Sequence, residues 1–389
     1  MWYNMYDIQF FQELKMLYIK SKIIRPGMIL AKDIEYYNSD NTTSTLLYKG
    51  EVLNQVYINR ILYHNIPGIY IESIPSKEIS FQPYLTKRLE DKSLSEIEGV
   101  FSKLKKQENK LDSASVKQIS DIVYELTAEI LPKKGLAHNI MEFKNYDDYT
   151  YQHCLNVAIL NISTGVTLGL DENELHELGI CGILHDIGKM FIPLDIINKP
   201  GKLTSEEFEI IKTHPMHAIN QLRNLVSPDV LMGIESHHEK INGSGYPHGK
   251  TGESIPLFGK ISAVCDVYDA LTSDRSYRKT CFPNEVIEYM MGAAGTLFDY
   301  DILKAFLRSI VAYPVGTYVK LSNNIIGIVV KNYSENIMRP IVRIINEDNS
   351  YGEAIDLYND KKFMNITITA MGHSYDSINI TASQNTFKL

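Results

Sequence analysis

Where the histidines fall constrains this chain more than any other feature. Nine of its 11 histidines lie between His138 and His248, in a stretch whose apolar spacing is helical. Two positions in it are doublets. His185-Asp186 sits inside Leu184-His185-Asp186-Ile187-Gly188-Lys189. About fifty residues later comes His237-His238, followed by Glu239 and then Gly245-Tyr246-Pro247. Successive residues on a helix point about 100° apart, so His185 and Asp186 grip one ion only if other helices close around them. The candidates for closure are His153, His214, His237, His238 and Asp266. Imidazole with carboxylate suits borderline first-row ions such as iron, manganese or zinc better than calcium. Five imidazoles and two carboxylates exceed the roughly four to six ligands one ion takes once water is included. A bridging carboxylate, for which Asp186 is best placed, would let the set hold two ions, and paired ions suit attack on a phosphodiester.

Taken singly, His153 reads equally as a core histidine, His214 as a loop residue before Pro215, and His217 as structural. The doublets resist such readings. Asp266 lies in the apolar run 261–271, where an unpaired carboxylate would be costly, so it calls for a cation. Asp269, one turn on, and Glu239 read as hydrogen-bond partners that orient ligands. Cys181, four residues before His185, reads as a buried thiol.

The anion side is carried by cations and a stiff loop. Lys189 follows Asp186 by three residues and would share its helical face; a lysine beside bound cations favours an anion between them. Gly188 reads as room for that ligand. Arg275 and Arg278 form a candidate second clamp. Gly243, Gly245 and Pro247 make a turn that lets substrate approach the backbone, with Tyr246 placed to stack on a base or bond a phosphate.

The 389 residues suit two or three domains. A net charge of -8 argues against a large nucleic-acid partner while permitting a small anion held by local cations. Four cysteines without a paired spacing point to a reducing cytoplasmic setting. Residues 1–20 read as neither signal peptide nor membrane span, and Met16 is an alternative start. The fold expected is a mainly α-helical bundle at 132–312. A small α/β domain precedes it at 1–76, a helical connector lies at 77–131, and a small β-rich domain closes the chain at 313–389. The connector, with charged solvated faces, is a candidate dimerising surface. Asp171 with Glu174 and Thr204 with Glu207 spell capping boxes, and Ser227-Pro228 a helix start.

With these residues in view, the stretch 146–306 resembles the HD-GYP family, the cyclic di-GMP phosphodiesterase branch of the HD metal-hydrolase superfamily. The resemblance rests on His153-Cys154-Leu155-Asn156, the run from Leu184 to Lys189, His214-Pro215, His237-His238-Glu239 through Gly245-Tyr246-Pro247, and Asp266 through Asp269 to Arg275 and Arg278. It implies an HD-type helical fold and metal ligation by His153, His185, Asp186, His214, His237, His238 and Asp266. It also implies substrate contact at Lys189, Gly245, Tyr246, Arg275 and Arg278. The implied reaction is hydrolysis of cyclic di-GMP to pGpG, often onward to GMP, in bacterial signalling. Lys189 and Asp186 are then the residues closest to the chemistry. Iron or manganese is favoured for the two divalent ions, with zinc, nickel and magnesium as alternatives. Some members place a glutamate for a third ion where this chain has Tyr149, which favours two ions and a stop at pGpG. The rival readings are a phosphodiesterase for a related cyclic dinucleotide and a catalytically weak cyclic di-GMP receptor.

Overall fold

The computed structural model describes residues 16–21, 24, 26, 28–37, 43–64, 66, 68–72, 85–106, 110–133, 149–199, 201–273, 283–333, 335–346 and 351–372. The chain divides into two compact units. One comprises 1–82, 145–147 and 312–389, the other 83–144 and 148–311.

In the first unit, β1 (Met16–Lys20), β2 (Ile34–Tyr37), β3 (Thr43–Leu47), α1 (Gln55–Tyr63) and β4 (Gly68–Glu72) come from the N-terminal segment. β1 pairs with β4 and β2 with β3, both antiparallel. The C-terminal segment adds β5 (Tyr318–Leu321), β6 (Ile326–Lys331), β7 (Ile341–Ile345), β8 (Tyr351–Asp356) and β9 (Ile368–Gly372), an antiparallel sheet ordered β8-β7-β6-β5-β9. The β-rich C-terminal region is therefore as expected. The separation of the two ends is not: Leu30, Leu53, Ile61 and Ile69 from one segment and Ile328, Val330 and Ile345 from the other belong to a single buried cluster. Segments this short bury too little surface alone, so a shared core is the physical reason for the joining. β8 escapes the sequence reading because it is an edge strand, with Glu353 and Ala354 exposed and little apolar alternation to read.

The second unit is helical. The expected connector is two helices, α2 (Lys87–Lys106) and α3 (Ser113–Ile130), the latter capped by Asp112, which accepts from the Ser115 amide at 2.8 Å. Ile97, Phe101, Ile119 and Leu126 are fully buried, so the pair forms a layer of this unit as well as a solvated surface. There follow α4 (Tyr149–Leu168), α5 (Glu172–Leu184), α6 (Leu194–Ile197), α7 (Ser205–Ile211), α8 (His214–Leu222), α9 (Pro228–Ser236), α10 (Leu257–Thr272), α11 (Pro283–Gly292) and α12 (Tyr300–Ser309). Both capping boxes form, and Ser227 caps α9. α4 and α5 cross closely at Gly182, where a Cβ would lie 2.5 Å from the Ala158 Cα. Among the described residues, no helix is long and apolar enough to cross a membrane.

Asp299 ties α12 to α10. It accepts from the amides of Asp301 and Ile302 at 3.0 and 3.2 Å and from Lys260 Nζ at 3.0 Å. Asp299→Ala should cost about 1–2 kcal/mol of stability at neutral pH. Although burial opposes ionisation, Lys260 and the capped amides hold the Asp299 carboxyl below its ordinary 3.8. Its contribution is then present above that value and lost as pH falls through the lower folded one. Burial likewise opposes the charge on Lys260, but Asp299 and Glu253 raise it above 10.5, so that contribution is full below 10.5 and is lost as pH rises through the raised value. Urea melts should show the gap between wild type and variant narrowing in acid.

Candidate metal centre

The helix ends carry the site. α5 stops at Leu184, which puts His185 and Asp186 in the turn beyond it instead of inside a helix. A 3-10 turn, Ile187–Phe191, then carries Lys189. His153 comes from α4 and Asp266 from α10; His214 is the first residue of α8, and His237 and His238 directly follow α9. All seven proposed ligands converge, and all but His238 are buried.

The Asp186 carboxylate lies at the centre. Its Oδ1 is 3.4 Å from His214 Nε2 and 3.9 Å from His237 Nε2, while its Oδ2 is 3.4 Å from His185 Nε2 and 3.7 Å from His153 Nε2. Each oxygen thus faces a different pair of imidazoles. Asp266 also spans the cage, with Oδ1 3.2 Å from His153 Nε2 and Oδ2 3.7 Å from His238 Nδ1.

The tautomers follow from the backbone. Nδ1 of His185, His214 and His237 lies 2.8, 2.8 and 2.6 Å from the carbonyls of Gly182, Ile211 and Ile234, each three residues back. A carbonyl only accepts, so each Nδ1 carries the proton and each Nε2 turns a lone pair inward. His214 Nε2 and His237 Nε2 then face one another at 3.3 Å with no proton between them. His185 Nε2 and Asp186 Oδ1 are buried without a hydrogen-bond partner among the described residues. Such orphans are costly unless a cation takes them up. The donor atoms also group within metal-binding distance: Asp186 with His214, His237 and His238, and Asp186 again with His153 and His185. The residues fit a divalent-metal centre.

The electrostatics agree. Burial pushes His237 down to about 3 and His214 down to about 4, so both imidazoles are neutral and ligand-competent at physiological pH. Burial and its neighbour His237 press His238 the same way. His153 differs: burial opposes its charge, but its bonds to Asp266 and Asp269 prevail and lift it to about 9, so without metal it holds a proton that a bound ion would have to displace. Asp186 and Asp266 stay far below the usual carboxylate range despite burial, Asp186 chiefly through Lys189 and Asp266 chiefly through its hydrogen bond from His153.

The supporting residues are partly those expected. Asp269 accepts from His153 Nδ1 at 2.7 Å and from Asn156 Nδ2 at 2.8 Å, the orienting role read for it. Lys189 donates to Asp186 Oδ2 at 2.5 Å. Its reach toward an anion therefore starts from an ion pair. Tyr246 lies against His238, ring centroids 4.6 Å apart. His217 stacks on Phe191, and Cys181 is a buried thiol. Arg275 and Arg278 lie outside the described residues.

Two glycines have other reasons than the ones the sequence suggested. A Cβ on Gly188 would sit 1.9 Å from the His214 carbonyl oxygen, and one on Gly245 would sit 2.4 Å from the Lys240 amide nitrogen. Both permit backbone to meet backbone; neither is simply space for a ligand. Glu239 is fully buried, and its two oxygens accept from the His248 and Lys250 amides at 2.8 and 2.9 Å. It fastens the loop that presents Tyr246. Glu239→Ala should cost about 2–3 kcal/mol, the effect of orphaning amides bonded to a charged acceptor, read as a lowered urea midpoint.

Residues 143–302 match the HD domain family. These residues include all seven proposed ligands and the Gly245-Tyr246-Pro247 loop. Over 227 residues the chain is 39% identical to a cyclic di-GMP phosphodiesterase of Pseudomonas aeruginosa, covering 58% of this chain and 55% of the relative. The cyclic di-GMP phosphodiesterase PdeB of Borreliella burgdorferi is 31% identical over the same length, with 58% and 59% covered. A 3'3'-cGAMP-specific phosphodiesterase of Vibrio cholerae is 36% identical over 163 residues, covering 42% of this chain and 37% of the relative. The chain thus spans little more than half the length of these curated relatives at most. The HD-domain match spans the cage and the Gly245-Tyr246-Pro247 loop, while strands β1 to β9 lie outside residues 143–302.

Proposed function

We propose that this chain is a metal-dependent phosphodiesterase that hydrolyses cyclic di-GMP to pGpG in bacterial second-messenger signalling. The observation that carries the reading is the Asp186 carboxylate, whose two oxygens face two separate pairs of inward-turned imidazoles. The relatives named as cyclic di-GMP phosphodiesterases suggest the substrate.

Two divalent ions, iron or manganese by preference, would be held by His153, His185, Asp186, His214, His237, His238 and Asp266. Once bound they supply Lewis acidity toward a phosphate oxygen and toward water. The chain's own residues do the rest. His185, His214 and His237 are held in the ligating tautomer by their backbone carbonyls, so little reorganisation precedes binding. Asp269 fixes the His153 ring. Lys189, beside Asp186, contributes positive charge where negative charge builds on the phosphoryl oxygens. Tyr246 and the Gly245 turn border the cleft, and Arg275 and Arg278 are assigned to the second phosphate from their sequence pattern.

The test is metal analysis of protein prepared without air, with products separated after incubation with cyclic di-GMP. We expect about two ions per chain and pGpG as the accumulating product, because Tyr149 stands where a third-metal glutamate occurs in some members. Turnover by metal-free protein carrying His185→Ala and Asp186→Ala would overturn the scheme. A second reading, cleavage of a related cyclic dinucleotide, is favoured by the 3'3'-cGAMP-specific relative. Comparing kcat/KM for cyclic di-GMP, 3'3'-cGAMP and cyclic di-AMP decides between them.

A further inference from the structure

We infer that Phe208 is a specificity-determining residue: with Tyr246 it forms an aromatic corner that seats the purine next to the scissile phosphate. The inference rests on the function proposed above and adds to it a base-recognition element. Phe208 lies on α7 and is 45% exposed, high for a phenylalanine. Its ring centroid is 6.2 Å from that of Tyr246, with the planes at 84°. One face of Tyr246 is already against His238, a cage residue, at 4.6 Å and 32°. The three rings therefore form a chain from His238 in the cage, through Tyr246, to the exposed ring of Phe208.

The position of Phe208 is fixed relative to the cage. α7 starts at a capping box in which Thr204 accepts from the Glu207 amide, and Lys199 Nζ pairs with both Glu207 oxygens at 2.7 Å. It ends at Ile211, whose carbonyl accepts the His214 Nδ1 proton at 2.8 Å. The helix that carries the exposed ring thus also sets the tautomer of a proposed metal ligand. Lys212 Nζ lies 5.6 Å from the Phe208 centroid, supporting the ring electrostatically. An aromatic face at a nucleotide cleft binds by stacking, and a purine offers it the larger surface.

The experiment measures steady-state hydrolysis of cyclic di-GMP by the full-length, metal-loaded chain and by Phe208→Ala, Phe208→Leu and Phe208→Tyr. Loss of a stacking platform should raise KM about tenfold in the alanine and leucine variants, with a much smaller change in kcat because stacking is shared by ground and transition states. Phe208→Tyr, which keeps the π face, should restore KM to within about twofold of wild type. Leucine fills most of the volume, so an effect in both variants separates stacking from packing. Turnover by wild type with KM unaltered in the alanine and leucine variants overturns the inference and leaves the proposed function standing. A rise in the alanine variant alone also overturns it, since packing then explains the effect. No cleavage by metal-loaded wild type overturns both.

Discussion

Asp186→Asn should strip the centre of at least one ion and lower kcat/KM for cyclic di-GMP by more than about 100-fold, beyond the ~10–100-fold that partners outside the ligand sphere typically cost. The substitution preserves shape and changes charge. Asp186 Oδ1 faces His214 and His237, while Oδ2 faces His185 and His153. In asparagine one of these atoms becomes an N–H₂ that turns protons toward a group it should help ligate. One side of the cage would thus lose an acceptor and both would lose negative charge. The two carboxylates now offset only part of the charge of two dications; with one, the balance worsens.

A stability measurement separates this from misfolding. In chelator, Asp186→Asn removes the charge that pairs with Lys189 at 2.5 Å, so metal-free stability should fall by an amount that added metal does not affect, and a retained cooperative urea transition shows that the variant still folds. Added Mn²⁺ should raise the wild-type melting temperature as binding to the folded state dictates and raise that of Asp186→Asn far less. A variant that keeps two ions per chain and full turnover would refute the central placement of this carboxylate.

The sequence was most informative where chemistry is local or costly to hide. Capping boxes at Asp171 and Thr204 form because both partners lie within one turn. Asp266 was identifiable as a ligand candidate because a carboxylate in an apolar run demands a partner, and its position beside His153 and His238 supplies one. The histidine doublets converge for the same reason. Less legible was anything decided by contacts between distant segments. The reason Ile328 and Val330 share a cluster with Leu53 and Ile61 cannot be read from either segment's pattern. Glu239 looked like a residue bearing on the ligands, yet its acceptors serve amides nine and eleven residues later, which no helical spacing announces. Phe208 resembled any apolar residue on an amphipathic helix; only its exposure and its neighbour Tyr246 set it apart.

Gly188→Ala is expected to be the most damaging single-methyl change in the helical unit. Beside Asp186 and Lys189, this glycine invites the reading that it clears space for a ligand. The structure gives a different cause: an added Cβ would lie 1.9 Å from the His214 carbonyl oxygen and 2.8 Å from the Ala218 amide nitrogen. Backbone, unlike a flexible side chain, cannot rotate away, so the 3-10 turn and α8 must separate. Overpacking costs about 1–3 kcal/mol where neighbours yield, and here the expected cost is about 3 kcal/mol or more. His214 is the first residue of α8, so the separation also draws its Nε2 away from Asp186 Oδ1, now at 3.4 Å, and weakens metal binding. The two explanations part in chelator. If Gly188 serves only as ligand space, metal-free stability is untouched and only KM rises. If it serves backbone packing, the urea midpoint falls in the metal-free protein and metal content falls with it. Gly99→Ala is the matched control: it lies within α2 with nothing inside 4 Å of the added carbon, and it should stabilise by about 0.5–1 kcal/mol through helix propensity alone. Opposite signs for the same chemical change, set only by what the methyl meets, would tie the integrity of the metal cage to a backbone crossing of two segments about 25 residues apart in the sequence.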